Sequence, residues 1–123
     1  MAIRIKRAYE AVDEADGWRI LVDRYWPRGL SKEAARLDSW AREIAPSDEL
    51  RRWFGHEHGH APEQWPGFLQ RYHAELDSKP DEVRKLVEMM SGQPTTLVYS
   101  LNNRWNNALA LKTYLEANYP QLR

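Results

Sequence analysis

Apolar and polar positions along the chain alternate between short strand-like runs and helical stripes. Ile3-Arg4-Ile5-Lys6 alternates with period two and predicts a first strand. Glu10 to Gly17 is polar and acidic and reads as a loop. Trp18-Arg19-Ile20-Leu21-Val22 predicts a second, central strand. Ser31 follows as an N-cap for a short helical turn over Lys32–Arg36. Leu37 to Ile44 fits two readings: Leu37, Trp40 and Ile44 suit a helix face, and a strand is also compatible.

The second half is more regular. Ser47 is placed to cap a helix with Asp48 and Glu49 in its first turn, where negative charge suits the helix dipole, and with Leu50, Trp53 and Phe54 facing inward. His56 to Ala61 reads as a loop. Pro66 belongs in a first helical turn, so a helix is expected from near Gln64. Its buried stripe is Trp65, Phe68, Leu69, Tyr72 and Leu76. Val83, Leu86, Val87 and Met90 mark another amphipathic helix after Pro80, closed by Gly92. Thr95 to Ser100 is rich in strand formers, Asn102 to Asn107 is a polar bend, and Trp105, Ala108, Leu111 and Leu115 define a last helix. This order predicts an α/β fold: one compact domain over residues 1–123, with a small, mostly parallel sheet flanked by helices.

Composition narrows the function classes. Lys+Arg and Asp+Glu balance at 18 each, which weighs against the broad basic surface of non-specific nucleic-acid binding. With no cysteine there is neither a disulfide nor a thiolate nucleophile. The N-terminus lacks the apolar run of a signal peptide, and no segment approaches the ~18–20 apolar residues of a membrane span. A soluble, cytoplasmic protein is the default expectation. Six tryptophans in 123 residues point to core and, for some, to a binding surface.

Several motifs together resemble a known family. Val22-Asp23-Arg24-Tyr25-Trp26-Pro27-Arg28-Gly29, Ala45-Pro46-Ser47, Leu50-Arg51-Arg52-Trp53-Phe54-Gly55-His56, Leu97-Val98-Tyr99 and Asn106-Asn107-Ala108 are similar to the YeaO-like family, domain of unknown function 488. The resemblance covers nearly the whole chain. It implies a compact α/β domain of bacterial or archaeal origin, and no activity. Family members similar to this chain carry an Asp and a His between the last strand and the final helix. Here that segment is Ser100-Leu101-Asn102-Asn103-Arg104-Trp105, apparently one residue shorter, with Trp105 at the histidine position and no carboxylate. An acid–base role for this loop is therefore not expected.

Candidate chemistry concentrates in the loop from Asp23 to Lys32, which follows the central strand. Ligands of open α/β sheets bind beyond the carboxyl ends of strands. Arg24, Arg28 and Lys32 can clamp a phosphate or carboxylate, with Trp26 as a wall and Asp23 aligning an arginine. The plain structural alternative pairs Asp23 with an arginine inside the fold, under Trp26. Arg52 is expected to point outward, and His56, just past a helix end, serves as a general acid–base group or as a cap, the cap being favoured. Arg71 flanks the Trp65–Leu76 stripe, and the Tyr72 hydroxyl is a candidate for the site rim.

Ser100 and Asn102 lie at the end of the last strand and can orient a ligand, while the asparagines around them can equally cap the last helix. His56, His58 and His60 alternate, but no fourth ligand is evident, so no built metal site and no cofactor are expected. The nucleophile elbow, phosphate-loop and dinucleotide glycine patterns are absent. The leading expectation is a domain that binds a small anionic molecule at the carboxyl edge of its sheet, with catalysis left open. The alternatives are a nucleic-acid-binding or regulatory module using Arg24, Arg28, Lys32 and Arg36, or a protein-interaction domain anchored by Trp26 and Trp105.

Overall fold

Four strands, β1 (Ile3–Arg7), β2 (Trp18–Leu21), β3 (Ser39–Trp40) and β4 (Thr95–Tyr99), form one sheet in the order β1-β4-β2-β3. The computed structural model describes residues 3–57 and 62–123. Every pairing is parallel, and β2 and β4 are neighbours in the register Trp18↔Thr95 to Leu21↔Val98. All four strands therefore end at the same edge. Residues 95–98 of β4 are buried, as expected of a central strand covered on both faces.

Among the described residues five helices complete the architecture: α1 (Lys32–Ala35), α2 (Asp48–Arg52), α3 (Trp65–Asp77), α4 (Pro80–Met90) and α5 (Asn107–Asn118). Three of them start at the side-chain caps their sequences supply. Ser31 accepts from the Ala34 N–H, Ser47 from the Leu50 N–H and Asn106 from the Leu109 N–H, at 3.1, 3.1 and 2.9 Å. After α2 the backbone widens into a π-turn over Trp53–Glu57. Among the described residues no helix is long and apolar enough to cross a membrane.

The two faces of the sheet are covered differently. Strand side chains alternate between faces. Ile20 and Leu97 enter the main core with Phe68, Tyr72, Leu76, Val83, Leu111 and Leu115 from the helices. Leu21 and Val98 face the other way, with Ala8, and are covered by Trp26, Leu30, Leu37 and Trp40. The segment after β2 is thus both a loop at the sheet edge and the lid of a second, smaller core. This accounts for the ambiguity of Leu37 to Ile44. The stretch is a two-residue edge strand followed by a 3-10 turn over Arg42–Ile44, and its apolar residues serve two different clusters instead of one helix face. Leu76 is fully buried as expected, whereas Leu69 is only half-buried at the margin of the core.

The loop expected over Glu10–Gly17 contains a 3-10 turn, Glu14–Asp16, which buries a carboxylate. Asp16 meets Arg19 Nη1 at 2.6 Å and Lys6 Nζ at 2.8 Å. The Arg19 guanidinium also donates to the Ala35 carbonyl at 3.2 and 3.0 Å. Burial alone would raise the Asp16 pKa, but hydrogen bonds from Lys6, the Asp13 backbone and Arg19 outweigh it, and the group is held below the usual carboxylate range. Gly17 closes this turn at φ 65°, against the Pro94 carbonyl, where any Cβ would collide.

Candidate functional site

Because the strands are parallel, the loops leaving β1, β2 and β4 meet at one edge, and a cavity of about 840 Å³ opens there. Its walls come from Arg7 at the end of β1 and Tyr9 just beyond it, from Asp23 to Arg28 after β2, and from Ser100, Leu101 and Asn102 after β4. Pro46, Arg51, Phe54, Gly55 and Phe68 close it from the α2–α3 side, and Asn107 from the start of α5. Phe54 and Phe68 are buried and touch at 4.5 Å between ring centroids, giving an apolar floor.

Direct hydrogen bonds tie these loops together. The Asp23 carboxylate accepts from the Ser100 N–H at 3.0 Å and the Ser100 hydroxyl at 2.6 Å, and from Asn107 Nδ2 at 3.0 Å. Asn107 also donates to the Val22 carbonyl at 3.2 Å, and Trp40 Nε1 donates to the Asp23 carbonyl at 2.7 Å. Arg7 reaches across with Nε and Nη2 to the Ser100 carbonyl at 3.2 and 3.1 Å. Arg24 donates to the carbonyls of Pro46 and Ala45 at 3.3 and 3.2 Å. The Tyr9 hydroxyl donates to the Arg28 carbonyl at 2.7 Å. A site whose side chains are fixed in advance loses less entropy on binding.

Of the residues expected to form a site, Asp23, Arg24, Trp26, Arg28, Ser100 and Asn102 line this one cavity. Asp23 does not align an arginine: its described partners are Ser100 and Asn107, so it clasps the β2 and β4 loops. Trp26 donates from Nε1 to the Leu30 carbonyl at 2.6 Å and packs edge-on against Trp40 at 5.6 Å. It walls the cavity as part of the second core. Lys32 and Arg36 lie outside the cavity lining, at the two ends of the α1 turn. Arg52 is exposed and outside the lining as well, and its neighbour Arg51 takes that place. The His56 backbone lies in the π-turn, and His58 and His60 fall outside the described residues. Among the described residues no cluster of His, Asp or Glu is arranged to hold a metal.

Two further expectations are corrected, and one holds. The Tyr72 hydroxyl is fully buried and donates to the Ile44 carbonyl at 2.7 Å, away from any rim. Burial, with Glu75 and Asp23 nearby, pushes its pKa well above the ordinary tyrosine value, so it remains a donor. Trp105 is half-buried against Trp65 at 5.3 Å, and Trp26 is half-buried as well. The large hydrophobic side chains exposed among the described residues are Tyr9 and Tyr25. Among the asparagines Asn106 is the helix cap, and Asn103 Oδ1 accepts from the Trp105 N–H at 3.0 Å.

Outside the expected set, Arg7, Tyr9, Arg51 and Phe54 also line the cavity, and Asn107 joins them from the asparagine cluster after β4. Arg7 had a signal, since it ends β1 at the same carboxyl edge as Asp23. Tyr9 and Arg51 had none, because their approach depends on the strand order and on the placement of α2.

The family follows from comparison with known sequences. A family model described as "Inactive DUF488-N3 subclade" matches residues 2–123. The chain belongs to the YeaO-like DUF488 family. It is 42% identical over 118 residues to the uncharacterized protein YeaO of Escherichia coli, covering 95% of this chain and 99% of that one. It is also 41% identical over 96 residues to uncharacterized proteins of Mycobacterium bovis and Mycobacterium tuberculosis, covering 76% of this chain and 78% of theirs. No solved structure gives a significant match. In this DUF488 chain the motif after β2 supplies most of one cavity wall, the motifs around α2 supply Pro46, Arg51, Phe54 and Gly55, and Ser100, Leu101 and Asn102 come from the segment after β4 that lies outside the motifs.

Proposed function

We propose that this DUF488 protein binds a small anionic molecule in the cavity at the carboxyl edge of its sheet, and holds the molecule without transforming it. One observation carries the reading. Among the cavity's described lining residues, four arginines, Arg7, Arg24, Arg28 and Arg51, stand with one carboxylate, Asp23. Arg51 is paired with Asp48 at 3.2 Å, just outside the lining, so the described lining keeps an excess of two positive charges, on a chain whose formal net charge is zero. The Asp23 carboxylate already accepts three hydrogen bonds. Concave sites with one sign of charge concentrate ligands of the other sign.

Several features support binding over chemistry. The Ser100 hydroxyl donates to Asp23 at 2.6 Å, and the same carboxylate holds the Ser100 N–H and Asn107, so Ser100 is engaged in joining the loops after β2 and β4. Among the described lining residues there is no histidine or lysine. The match to a subclade described as inactive agrees with the missing Asp and His between β4 and α5.

Thermal unfolding with added phosphate tests the proposal, since a ligand of the folded state raises apparent stability. Sulfate and phosphate also stabilise by exclusion, so the decisive quantity is the difference between wild type and Arg28→Gln. Arg28 is exposed, and its described contact is through the backbone carbonyl, so the variant keeps the fold. Phosphate should protect wild type more than the variant, while chloride at matched ionic strength protects neither. Equal protection of both proteins by phosphate would defeat the anion reading.

A further inference from the structure

We infer that the ligand of this cavity carries a planar aromatic ring in addition to its anionic group, and that the ring stacks on Tyr9 and Tyr25. The inference rests on the anion site proposed above and adds the class of molecule that fills it.

These two tyrosines are unusual in their surroundings. They are 44% and 54% exposed, although the remaining large apolar side chains of the described chain are sheltered. Both line the cavity. Neither is loose. The Tyr9 hydroxyl is held by the Arg28 carbonyl at 2.7 Å, and the Tyr25 hydroxyl by both Asp48 carboxylate oxygens at 2.9 Å. A guanidinium lies over each ring: Arg7 over Tyr9 and Arg51 over Tyr25, each 5.0 Å from the centroid. Each ring is therefore fixed at its polar end and covered on one face by a cation, while about half of its surface stays open. The side-chain entropy that stacking would otherwise cost is already lost. This is how an aromatic platform is prepared for a flat partner.

Size and polarity point the same way. About 840 Å³ falls within the roughly 300–1,000 Å³ of small-molecule sites and far exceeds a bare oxyanion, given that a water occupies ~30 Å³. The floor offers Phe54 and Phe68, which an inorganic anion cannot use. The anionic group has a distinct anchor. Arg7, Arg24 and Arg51 spend donors on Ser100, Ala45, Pro46 and Asp48, whereas the Arg28 guanidinium has no partner among the described residues.

Isothermal titration with four probes tests this: adenosine 5′-monophosphate, ribose 5-phosphate, adenosine and inorganic phosphate. The monophosphate should bind on the order of tenfold tighter than ribose 5-phosphate, the scale of one stacking contact. Tyr9→Leu and Tyr25→Leu should erase most of that advantage, read as the ratio of the two affinities within each variant. Tyr9→Phe and Tyr25→Phe should retain it, because the ring is kept. Equal binding of the monophosphate and ribose 5-phosphate to wild type would overturn the stacking inference and leave the anion site standing. Adenosine binding as tightly as its monophosphate, or no binding by any phosphate compound, would overturn the anion site and this inference with it.

Discussion

Asp23 and Ser100, 77 positions apart in the chain, meet through two hydrogen bonds to one carboxylate oxygen, at 3.0 Å from the Ser100 N–H and 2.6 Å from its hydroxyl. The pair joins the loop after β2 to the loop after β4. With Asn107 on the other oxygen, it fixes one corner of the arginine-rich cavity. Asp23→Asn keeps the shape and removes the charge. Hydrogen bonds to charged groups contribute about 1.5–3 kcal/mol, so the variant should lose roughly 1–3 kcal/mol of stability in urea denaturation. An unchanged midpoint would mean that the clasp is dispensable.

The buried Asp16 predicts an acid-side loss of stability. Its folded-state pKa lies below the ordinary value, so its contribution is full above the unfolded pKa of about 4 and disappears as pH falls through the folded value. Urea midpoints should show an Asp16-dependent drop in stability that begins near pH 4. In an Asp16→Asn variant that part of the acid dependence should vanish, although stability at neutral pH falls because Arg19 is left buried without its partner.

Leu76→Ala removes a fully buried side chain from the main core and should cost about 2–5 kcal/mol. Leu69→Ala, at the half-buried margin, should cost clearly less. Chemical denaturation of both variants checks the order, and equal losses would contradict the burial difference.

Asn106 caps α5 through the Leu109 N–H at 2.9 Å and is itself buried, with Nδ2 donating to the carbonyls of Asn103 and Arg104 at 3.1 and 3.3 Å. Asn106→Ala should therefore cost at least the ~1 kcal/mol of an ordinary cap. A thermal midpoint equal to wild type would show that water replaces the cap without loss.

The local rules legible in the chain were those that act between near neighbours. Ser31 and Ser47 cap where a short side chain precedes a helix-forming run. The stripes of α3 and α4 bury as their spacing requires, apart from Trp65 and Leu69, which are half-buried. The apolar runs Trp18–Leu21 and Thr95–Tyr99 become adjacent parallel strands. Given a parallel sheet, the general rule about carboxyl edges places Asp23, Arg28, Ser100 and Asn102 around one opening.

What the sequence alone could not decide were partnerships between distant residues. Asp23 had an arginine as its natural companion on charge grounds, yet the order β1-β4-β2-β3 sets the β4 loop beside it, and Ser100 and Asn107 reach it first. The same strand order brings Arg7 to the cavity, and the return of the chain through α2 brings Arg51. The tyrosine hydroxyls are held by Arg28 and Asp48, each contributed by a different part of the chain. Periodicity and capping record free energies that a segment meets within its own few turns. A binding cavity records the meeting of loop ends, and that is fixed only when the whole sheet has chosen its order.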